Sequence, residues 1–232
     1  MFTKLRMVLL SSALISATVY GQHAPFEVGI NGGIGTSKVL GVQEQVGSDD
    51  FELAWLAGAS FQWNVNENIS LFCGINYEYR ESDFMFEYFR SGLPFSQVYP
   101  YQASFEFLSI PILLKYHLGQ KRIFFVSAGP QIDLLMKRTD EMDLRWKEDY
   151  LPPETTPDEI VTFDATNLQN TVNMGAAVGL GFSKNISPRL LFEAELRTSI
   201  NFTKTEYFVA ALELPAGNQM QVYLAFGVRY LL

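Results

Sequence analysis

Eight segments of the chain alternate apolar and polar residues with a period of two, and this alternation limits the possible folds more than any other feature of the sequence. In segment 51–64, for example, Phe61 and Trp63 lie on one face, whereas Gln62 and Asn64 lie on the other. Successive side chains of a β-strand point to opposite sides, so such sustained alternation predicts strands and not helices. The eight segments are 26–36, 51–64, 69–80, 108–119, 122–136, 171–183, 190–201 and 221–232.

The connections between these segments alternate in length. Three are tight turns of about four or five residues, at 65–68, 118–121 and 184–188, and four are long loops of about 14 to 31 residues. Short turns at one end and long loops at the other are the plan of a bacterial outer-membrane barrel. We therefore predict an all-β fold, an eight-stranded antiparallel up-and-down transmembrane β-barrel, with short turns and both termini periplasmic and long loops extracellular. The long loops are 37–50, 81–102, 137–167 and 203–217.

The N-terminus has the three-part pattern of a secretory signal peptide. Lys4 and Arg6 form a basic start, a mainly apolar stretch follows at 7–20, and a small residue comes after it. The apolar stretch is short and interrupted by serines, so it favours a cleaved signal over a stable membrane span. We predict a signal peptide at residues 1–21 and an outer-membrane β-barrel domain at residues 22–232, with an uncleaved N-terminal anchor as the alternative.

Composition excludes several classes of protein. Charged residues make up 18% and aromatic residues 14%, a balance that excludes an intrinsically disordered chain. The 25 acidic residues outnumber the 17 basic residues and no Lys/Arg cluster is present, so nucleic acid is not an expected partner. The single cysteine, Cys73, cannot form an intramolecular disulfide framework or a cysteine-based zinc site.

The charged residues of the predicted strands share a face with glycines and small polar residues. An eight-stranded barrel is only wide enough inside for side chains, and a lumen of Phe, Trp and Leu from every strand would be overfilled. An Arg or Lys facing lipid at mid-depth would also cost about 2–4 kcal/mol. We therefore expect the charges to form a lumen network, either a salt-bridged structural plug or a proton path or narrow pore. The predicted network is Glu52, Glu78, Arg80, Lys115, Asp133, Glu193, Glu195, Arg197 and Arg229.

Four stretches carry recognisable motifs, and they lie at 108–119, 124–136, 173–186 and 221–232. The clearest pieces are an Ile-Pro step at 110–111 and an Ala-Gly-Pro step at 128–130. These stretches resemble the PorT-like family of small outer-membrane β-barrel proteins. The resemblance implies a barrel in the outer membrane of a Gram-negative bacterium, with outer-membrane lipids, the barrel assembly machinery and envelope or secretion proteins as partners. Barrels of this type often end in an aromatic residue, whereas this chain ends in Leu232.

Few residues are available for catalysis. His23 follows the predicted cleavage site, and His117 adjoins the tight turn at 118–121 with its side chain on the lumen face. An enzyme that attacks outer-leaflet lipid needs its base at the opposite rim, so a Ser-His arrangement is not expected. The acidic loop 137–167 lacks the residue spacing of a calcium loop. We predict a non-enzymatic barrel with no catalytic residue, cofactor or metal site; a lipid-modifying enzyme with an acid-based mechanism is the alternative.

Aromatic residues of the second long loop predict one binding site. If the third and fourth strands extend beyond the bilayer, their alternation brings six aromatic side chains together above the lumen. Such a cluster either binds a lipid, a peptide or a partner protein, or forms a small hydrophobic core that caps the lumen. The six residues are Phe84, Phe86, Tyr88, Tyr101, Phe105 and Phe107.

Overall fold

The computed structural model describes residues 26–40, 51–89, 96–119, 123–143, 160–168, 171–203, 205–209 and 212–232. Side chains are described for all of these residues except 84–89, 96–100, 142–143, 168, 205–209 and 212–216. The predicted signal peptide at residues 1–21 lies outside the described residues.

The described residues form ten strands and one short 3₁₀ helix at Thr166–Leu168. The strands are β1 (Phe26–Leu40), β2 (Glu52–Asn64), β3 (Ile69–Phe89), β4 (Ser96–Leu118), β5 (Phe124–Asp143), β6 (Ile160–Asp164), β7 (Val172–Ser187), β8 (Leu190–Asn201), β9 (Thr205–Val209) and β10 (Leu212–Leu231). No helix in the described part of the chain is long and apolar enough to cross a membrane.

Eight of these strands close into a barrel. Their order is β1-β2-β3-β4-β5-β7-β8-β10, every pairing is antiparallel, and β10 returns to pair with β1, for example at Ala225 and Gly33. The two short strands stand outside this cycle, with β6 paired to β5 and β9 paired to β10. The predicted eight-stranded antiparallel up-and-down barrel is confirmed.

Side chains alternate across the barrel wall in the way the sequence pattern predicts. On the outer surface, Ile30 is 71% exposed and Val178 is 57% exposed, whereas Asn76 and Ser109 are buried inside. This arrangement is the reverse of a soluble barrel, which buries its apolar residues. It matches a barrel whose outer surface contacts hydrocarbon and whose interior is polar.

The apolar part of the outer surface has the height of a membrane. On β4 the outward residues between Glu106 and Tyr116 are Leu108, Ile110, Ile112 and Leu114. Ten residue steps at a rise of about 3.3 Å and a tilt of about 40° give a height of about 25 Å, the expected height of the apolar band. Outward charges mark its upper limit, because Lys137 Nζ of β5 lies 3.9 Å from Glu106 Oε1.

The tight turns and both ends of the described chain lie at the same end of the barrel. In the first turn, the side-chain oxygen of Asn66 accepts hydrogen bonds from the backbone N–H groups of Asn68 and Ile69, which is an Asx-type turn. Leu232, at the end of β10, donates its backbone N–H to the carbonyl of Phe26 at 3.0 Å. The even number of strands therefore returns the chain to the end where β1 begins.

The strands run further than the sequence predicts at the opposite end. In the predicted loop 81–102, residues 81–89 of β3 pair with residues 96–104 of β4. The predicted loop 137–167 contains the end of β5 and the whole of β6. Pairing continues past the apolar band. Strands there do not need one apolar face, so their sequences need not alternate, and these segments were not recognised as strands. A bulge in β5 is the second reason why the sequence pattern ends too early. Lys137 pairs with Glu106 and Leu135 pairs with Phe107, so Met136 has no partner on β4 and interrupts the alternation of β5.

Candidate functional site

Glycines on the inner wall make the space that the charged side chains occupy. A Cβ atom on Gly179 would lie 2.3 Å from Glu195 Oε1 and 2.6 Å from Ser127 Oγ. A Cβ atom on Gly58 would lie 2.4 Å from the Oδ1 atom of Asn76. Only glycine fits at such positions, so the glycines of the alternating pattern are what allows large ionic side chains inside a narrow barrel.

The lumen charges form three layers, and the first surrounds the ring of Phe72. Three cations lie against this ring, with Lys115 Nζ at 4.6 Å from the centroid and the guanidinium carbons of Arg197 and Arg229 at 5.4 and 5.1 Å. These contacts are cation–π interactions, which gain strength when water is excluded. The Phe72 layer comprises Phe72, Lys115, Glu193, Glu195, Arg197 and Arg229.

Two buried glutamates neutralise the cations of the Phe72 layer. Glu193 Oε1 binds Lys115 Nζ and also lies 2.5 Å from Arg229 Nη2. Glu195 Oε2 lies 2.5 Å from Arg197 Nη2 on the same strand. Because Lys115 is on β4 and Glu193 is on β8, their ion pair crosses the lumen and joins strands that are not neighbours.

The short-turn side of the Phe72 layer opens into a cavity of about 820 Å³. Arg229 Nη1 donates to Gln62 Oε1 and lies 3.7 Å from Glu27 Oε2. Asn64 donates its amide to Glu27 Oε1 at 2.7 Å. Glu27, Gln62, Asn64 and His117 all line this cavity, so the hydrogen-bond network reaches its wall.

The second layer is centred on Arg80. Its Nη2 atom lies 2.5 Å from Glu78 Oε2 and 2.7 Å from Asp133 Oδ2, and its guanidinium carbon lies 4.5 Å from the ring centroid of Phe107. Ser109, Gln131 and Asn201 all donate hydrogen bonds to the Asp133 carboxylate, at 2.7, 2.9 and 3.1 Å. Both partners of this buried ion pair thus keep most of the hydrogen bonds that burial demands. The Arg80 layer comprises Arg80, Glu78, Asp133 and Phe107.

The third layer lies furthest toward the long loops, and sequence analysis identified its two aromatic residues but missed its ion pair. Arg138 Nε and Nη2 form a two-point ion pair with the two oxygens of Asp140, each at 2.8 Å, and the hydroxyl of Tyr101 donates to Asp140 Oδ2. Tyr101 lies beyond Glu106 and outside the apolar band, where burial and the Asp140 carboxylate raise the pKa of its hydroxyl. The Arg138 layer comprises Arg138, Asp140, Tyr101 and Phe105.

A common sequence signal links the three layers. Each layer contains an acid and a base two residues apart on one strand: Glu78 with Arg80, Glu195 with Arg197, and Asp140 with Arg138. This spacing puts both side chains on the same side of a strand, so they meet inside the lumen. The spacing of two residues between an acid and a base is therefore the sequence signal that could have identified Arg138 and Asp140, which follow the Met136 bulge.

The comparisons with known proteins agree with this architecture. Residues 17–205 match a family described as outer membrane protein beta-barrel domain. The chain belongs to that family. It is therefore an integral protein of the outer membrane, and the apolar band of its wall is the part that contacts the lipid. No curated protein sequence matches the chain significantly.

Several solved barrels are similar to this outer-membrane barrel at low sequence identity. Neisserial surface protein A (NspA) is 12% identical with a TM-score of 0.44, over 90% of this chain and 97% of its own. OprG from Pseudomonas aeruginosa is 14% identical with a TM-score of 0.42, over 90% and 96%. The outer membrane protease OmpT from Escherichia coli is 9% identical with a TM-score of 0.41, over 93% and 100%. The family assignment rests on the sequence match and not on these similarities.

The structure places the predicted charges as follows. Glu78, Arg80, Lys115, Asp133, Glu193, Glu195, Arg197 and Arg229 are all buried in the Phe72 and Arg80 layers. Glu52 is half-buried at the start of β2, where its backbone pairs with Ser37. Sequence analysis missed four partners of these charges, although their parity along the strands places them on the lumen face. They are Phe72, Gln62, Glu27 and Tyr223, whose hydroxyl donates to Glu78 Oε2 at 3.3 Å.

The six predicted aromatic residues divide into two groups. Tyr101, Phe105 and Phe107 are buried in the lumen, and the rings of Phe105 and Phe107 stack with centroids 6.0 Å apart. Phe84, Phe86 and Tyr88 pair through their backbones with residues of β4, but their side chains lie outside the described residues. The three buried rings pack against Arg80 and Arg138 and offer no accessible surface to a ligand.

His117 contacts a serine, a pair that sequence analysis did not expect. Its Nε2 atom lies 3.0 Å from Ser70 Oγ, and the Ser70 hydroxyl donates to Asn64 Oδ1 at 2.7 Å. Ser70 has no exposed surface, and the Asn64 Oδ1 atom competes with the histidine for its hydroxyl hydrogen. In the described residues, no group of three or more His, Cys, Asp and Glu side chains is arranged to hold a metal ion.

Proposed function

We propose that this outer-membrane barrel is a non-enzymatic protein whose extracellular extension binds or supports an envelope or secretion machine. The observation that carries this proposal is the pairing of β3 with β4, which continues from Glu81 and Ser104 to Phe89 and Ser96. Ten residues separate Glu106 from Ser96, which corresponds to about 25 Å beyond the apolar band at ordinary strand rise and tilt.

The extension is a sheet and not a pair of flexible loops. Outside the apolar band, β5 continues to pair with β4 as far as Met142 and Tyr101, and β6 pairs with β5 from Asp164 to Ile160. A paired sheet has less conformational freedom than a loop, so it loses less entropy when a partner binds. The PorT-like resemblance supports an envelope or secretion machine as the class of partner. In this proposal the extension is extracellular, and the short turns and both termini face the periplasm.

Shortening the extension tests this proposal. Replacing residues 85–100 by Asn-Gly keeps the pairing of Phe84 with Tyr101 and therefore keeps the Arg138 layer. The matched control replaces residues 206–216 by Asn-Gly, which removes the smaller hairpin of β9 and β10. In cells without the wild-type protein, we expect both variants to fractionate with the outer membrane and to shift on gels after heating.

Envelope cross-linking then reports on the partner. We expect the species cross-linked to the wild-type protein to disappear in the 85–100 variant and to persist in the 206–216 control. If both properly inserted variants retain every cross-linked species, the extension is not the binding element and the proposal is wrong.

The contact between Ser70 and His117 makes a lipid-modifying enzyme the second candidate. The full burial of Ser70 argues against a nucleophile, because a substrate cannot reach its hydroxyl group. We expect purified refolded protein to show no turnover of lipopolysaccharide or phospholipid. Turnover that is abolished by Ser70→Ala or His117→Ala in a barrel that still shifts on gels would favour the enzyme.

A further inference from the structure

A second, much smaller cavity lies beside the Phe72 layer, deep in the lumen. Its volume is about 10 Å³, and its lining includes Asn31 of β1, Phe72 of β3, Glu193 and Arg197 of β8, and Arg229 of β10. The smallest cavity that holds a water molecule measures about 10–15 Å³ by the same definition. The cavity is thus large enough for one water and too small for an organic ligand.

Four buried polar atoms belong to residues of this lining and have no hydrogen-bond partner among the described groups. They are Asn31 Oδ1, Glu193 Oε2, Arg197 Nε and Arg229 Nε. Neighbouring atoms of these side chains are engaged: Glu193 Oε1 binds two cations, the Arg229 Nη atoms bind Gln62 and Glu193, and Arg197 Nη2 binds Glu195. Two hydrogen-bond acceptors and two hydrogen-bond donors therefore remain on residues that line the same space.

We propose that this cavity is the binding site of one structural water molecule. Water offers two donors and two acceptor sites, which complement the two oxygens and the two N–H groups of the lining. A metal cation would meet two guanidinium groups. A chloride ion would accept from the arginines but would leave Glu193 Oε2 and Asn31 Oδ1 without a donor. Of these three occupants, only water satisfies all four groups.

The water completes the ion-pair network of the Phe72 layer. A buried carboxylate oxygen or guanidinium N–H without a hydrogen-bond partner destabilises the folded state. One water molecule would supply the missing hydrogen bonds of all four atoms. Arg229 also connects the site to the large cavity, because it donates to Gln62, which lines that cavity. The water therefore links Asn31 of β1 with β8 and β10, and it extends the hydrogen-bond network from the short-turn end into the middle of the lumen.

Gly227 offers a way to reduce the volume of the site by substitution. Gly227 lines the small cavity and pairs with Asn31 and Glu193, and a Cβ atom there would lie 3.3 Å from Ile30 O and 3.7 Å from Asn31 Cβ. Gly227→Ala therefore adds a methyl group to the wall of this cavity and reduces the space left for a water molecule. The matched control is Gly32→Ala on the outward face, where a Cβ atom would meet only Leu56 O at 3.6 Å.

The stability comparison uses the mature protein refolded in detergent. We expect Gly227→Ala to raise the unfolding equilibrium constant about tenfold relative to Gly32→Ala, because the methyl group displaces the water and leaves charged groups without partners. If Gly227→Ala is as stable as Gly32→Ala or more stable, the cavity is dry and the proposal is overturned.

A high-resolution crystal structure of the same protein, grown with bromide, identifies the occupant directly. We expect one density peak within hydrogen-bond distance of all four atoms, with no anomalous signal from bromide. An anomalous peak would show an anion site. An empty cavity, or direct pairing of Arg197 and Arg229 with Glu193 Oε2, would show that no water is required. Each of these three results overturns the proposal.

Discussion

Replacing Val178 by arginine tests which face of the barrel contacts lipid. Val178 is 57% exposed on the outer surface and lies on β7 between the outward residues Val172 and Phe182, six steps from one and four from the other. It is therefore close to the middle of the apolar band. An outward arginine at mid-depth costs about 2–4 kcal/mol, which corresponds to about 30- to 900-fold in the equilibrium between inserted and unfolded chains.

The control for Val178→Arg is a polar change at the adjacent inward position. Ala177→Ser adds a hydroxyl group to a buried lumen residue, where it costs no lipid contact. Gly175 is unsuitable, since a Cβ atom there would lie 2.4 Å from Ile200 O. Phe182→Arg lies near the edge of the band, where the charge itself should lower the free energy of unfolding by only about 0–1 kcal/mol. The loss of the ring contacts of Phe182 adds to this effect.

Guanidinium titration in lipid vesicles measures the free energy of unfolding of each variant. We expect Val178→Arg to lose much more free energy than Ala177→Ser. Equal losses for these two variants, or a larger loss for Ala177→Ser, would mean that the lipid and lumen faces are assigned the wrong way round.

Two further substitutions probe the lumen, and one measurement probes the whole barrel. Gly179→Ala should lower the free energy of unfolding in detergent by about 1–3 kcal/mol because its methyl group would displace Glu195, whereas an unchanged value would refute that contact. Arg80→Met should lower it by about 3–5 kcal/mol by leaving Glu78 and Asp133 buried without their cation, and adding Asp133→Asn should recover part of the loss. The mature wild-type protein should fractionate with the outer membrane, and recovery as a soluble periplasmic protein would contradict the membrane assignment.

Much of the barrel wall is predictable because one physical rule governs it. Within the apolar band each strand residue faces either hydrocarbon or the lumen, so Leu114 and Lys115 must point in opposite directions. Outside the band both faces meet water, and the rule no longer distinguishes a strand from a loop. For this reason the hairpin from Glu81 to Phe89 and its partner on β4 were predicted as a loop.

The interior is less predictable, because contacts across the lumen depend on strand stagger. Parity places Lys115 and Glu193 inside, but the alternation of single strands does not show that they meet across the barrel. Met136 is a bulge, and it shifts the parity of β5 so that Arg138 and not Lys137 points inward. Phe72 was overlooked for a simpler reason: an aromatic residue was not expected on the polar face, although three cations pack around it.

The stacked layers also determine whether ions pass through the barrel. Each layer sets a guanidinium group against an aromatic ring, with Arg197 over Phe72, Arg80 over Phe107 and Arg138 over Phe105. The cations and rings of these pairs are buried, and the carboxylates beside them hold each cation in place.

A permeating ion would have to break a buried ion pair in three successive layers, and each broken pair leaves a charge without its partner. We therefore predict no stepwise conductance for the refolded protein in a planar bilayer, with a known porin as the positive control. Phe72→Ala should also be silent, because the Arg80 and Arg138 layers still close the lumen. Regular conductance steps from the wild-type protein would show that the layers open, and the charge network would then be a pore and not a plug.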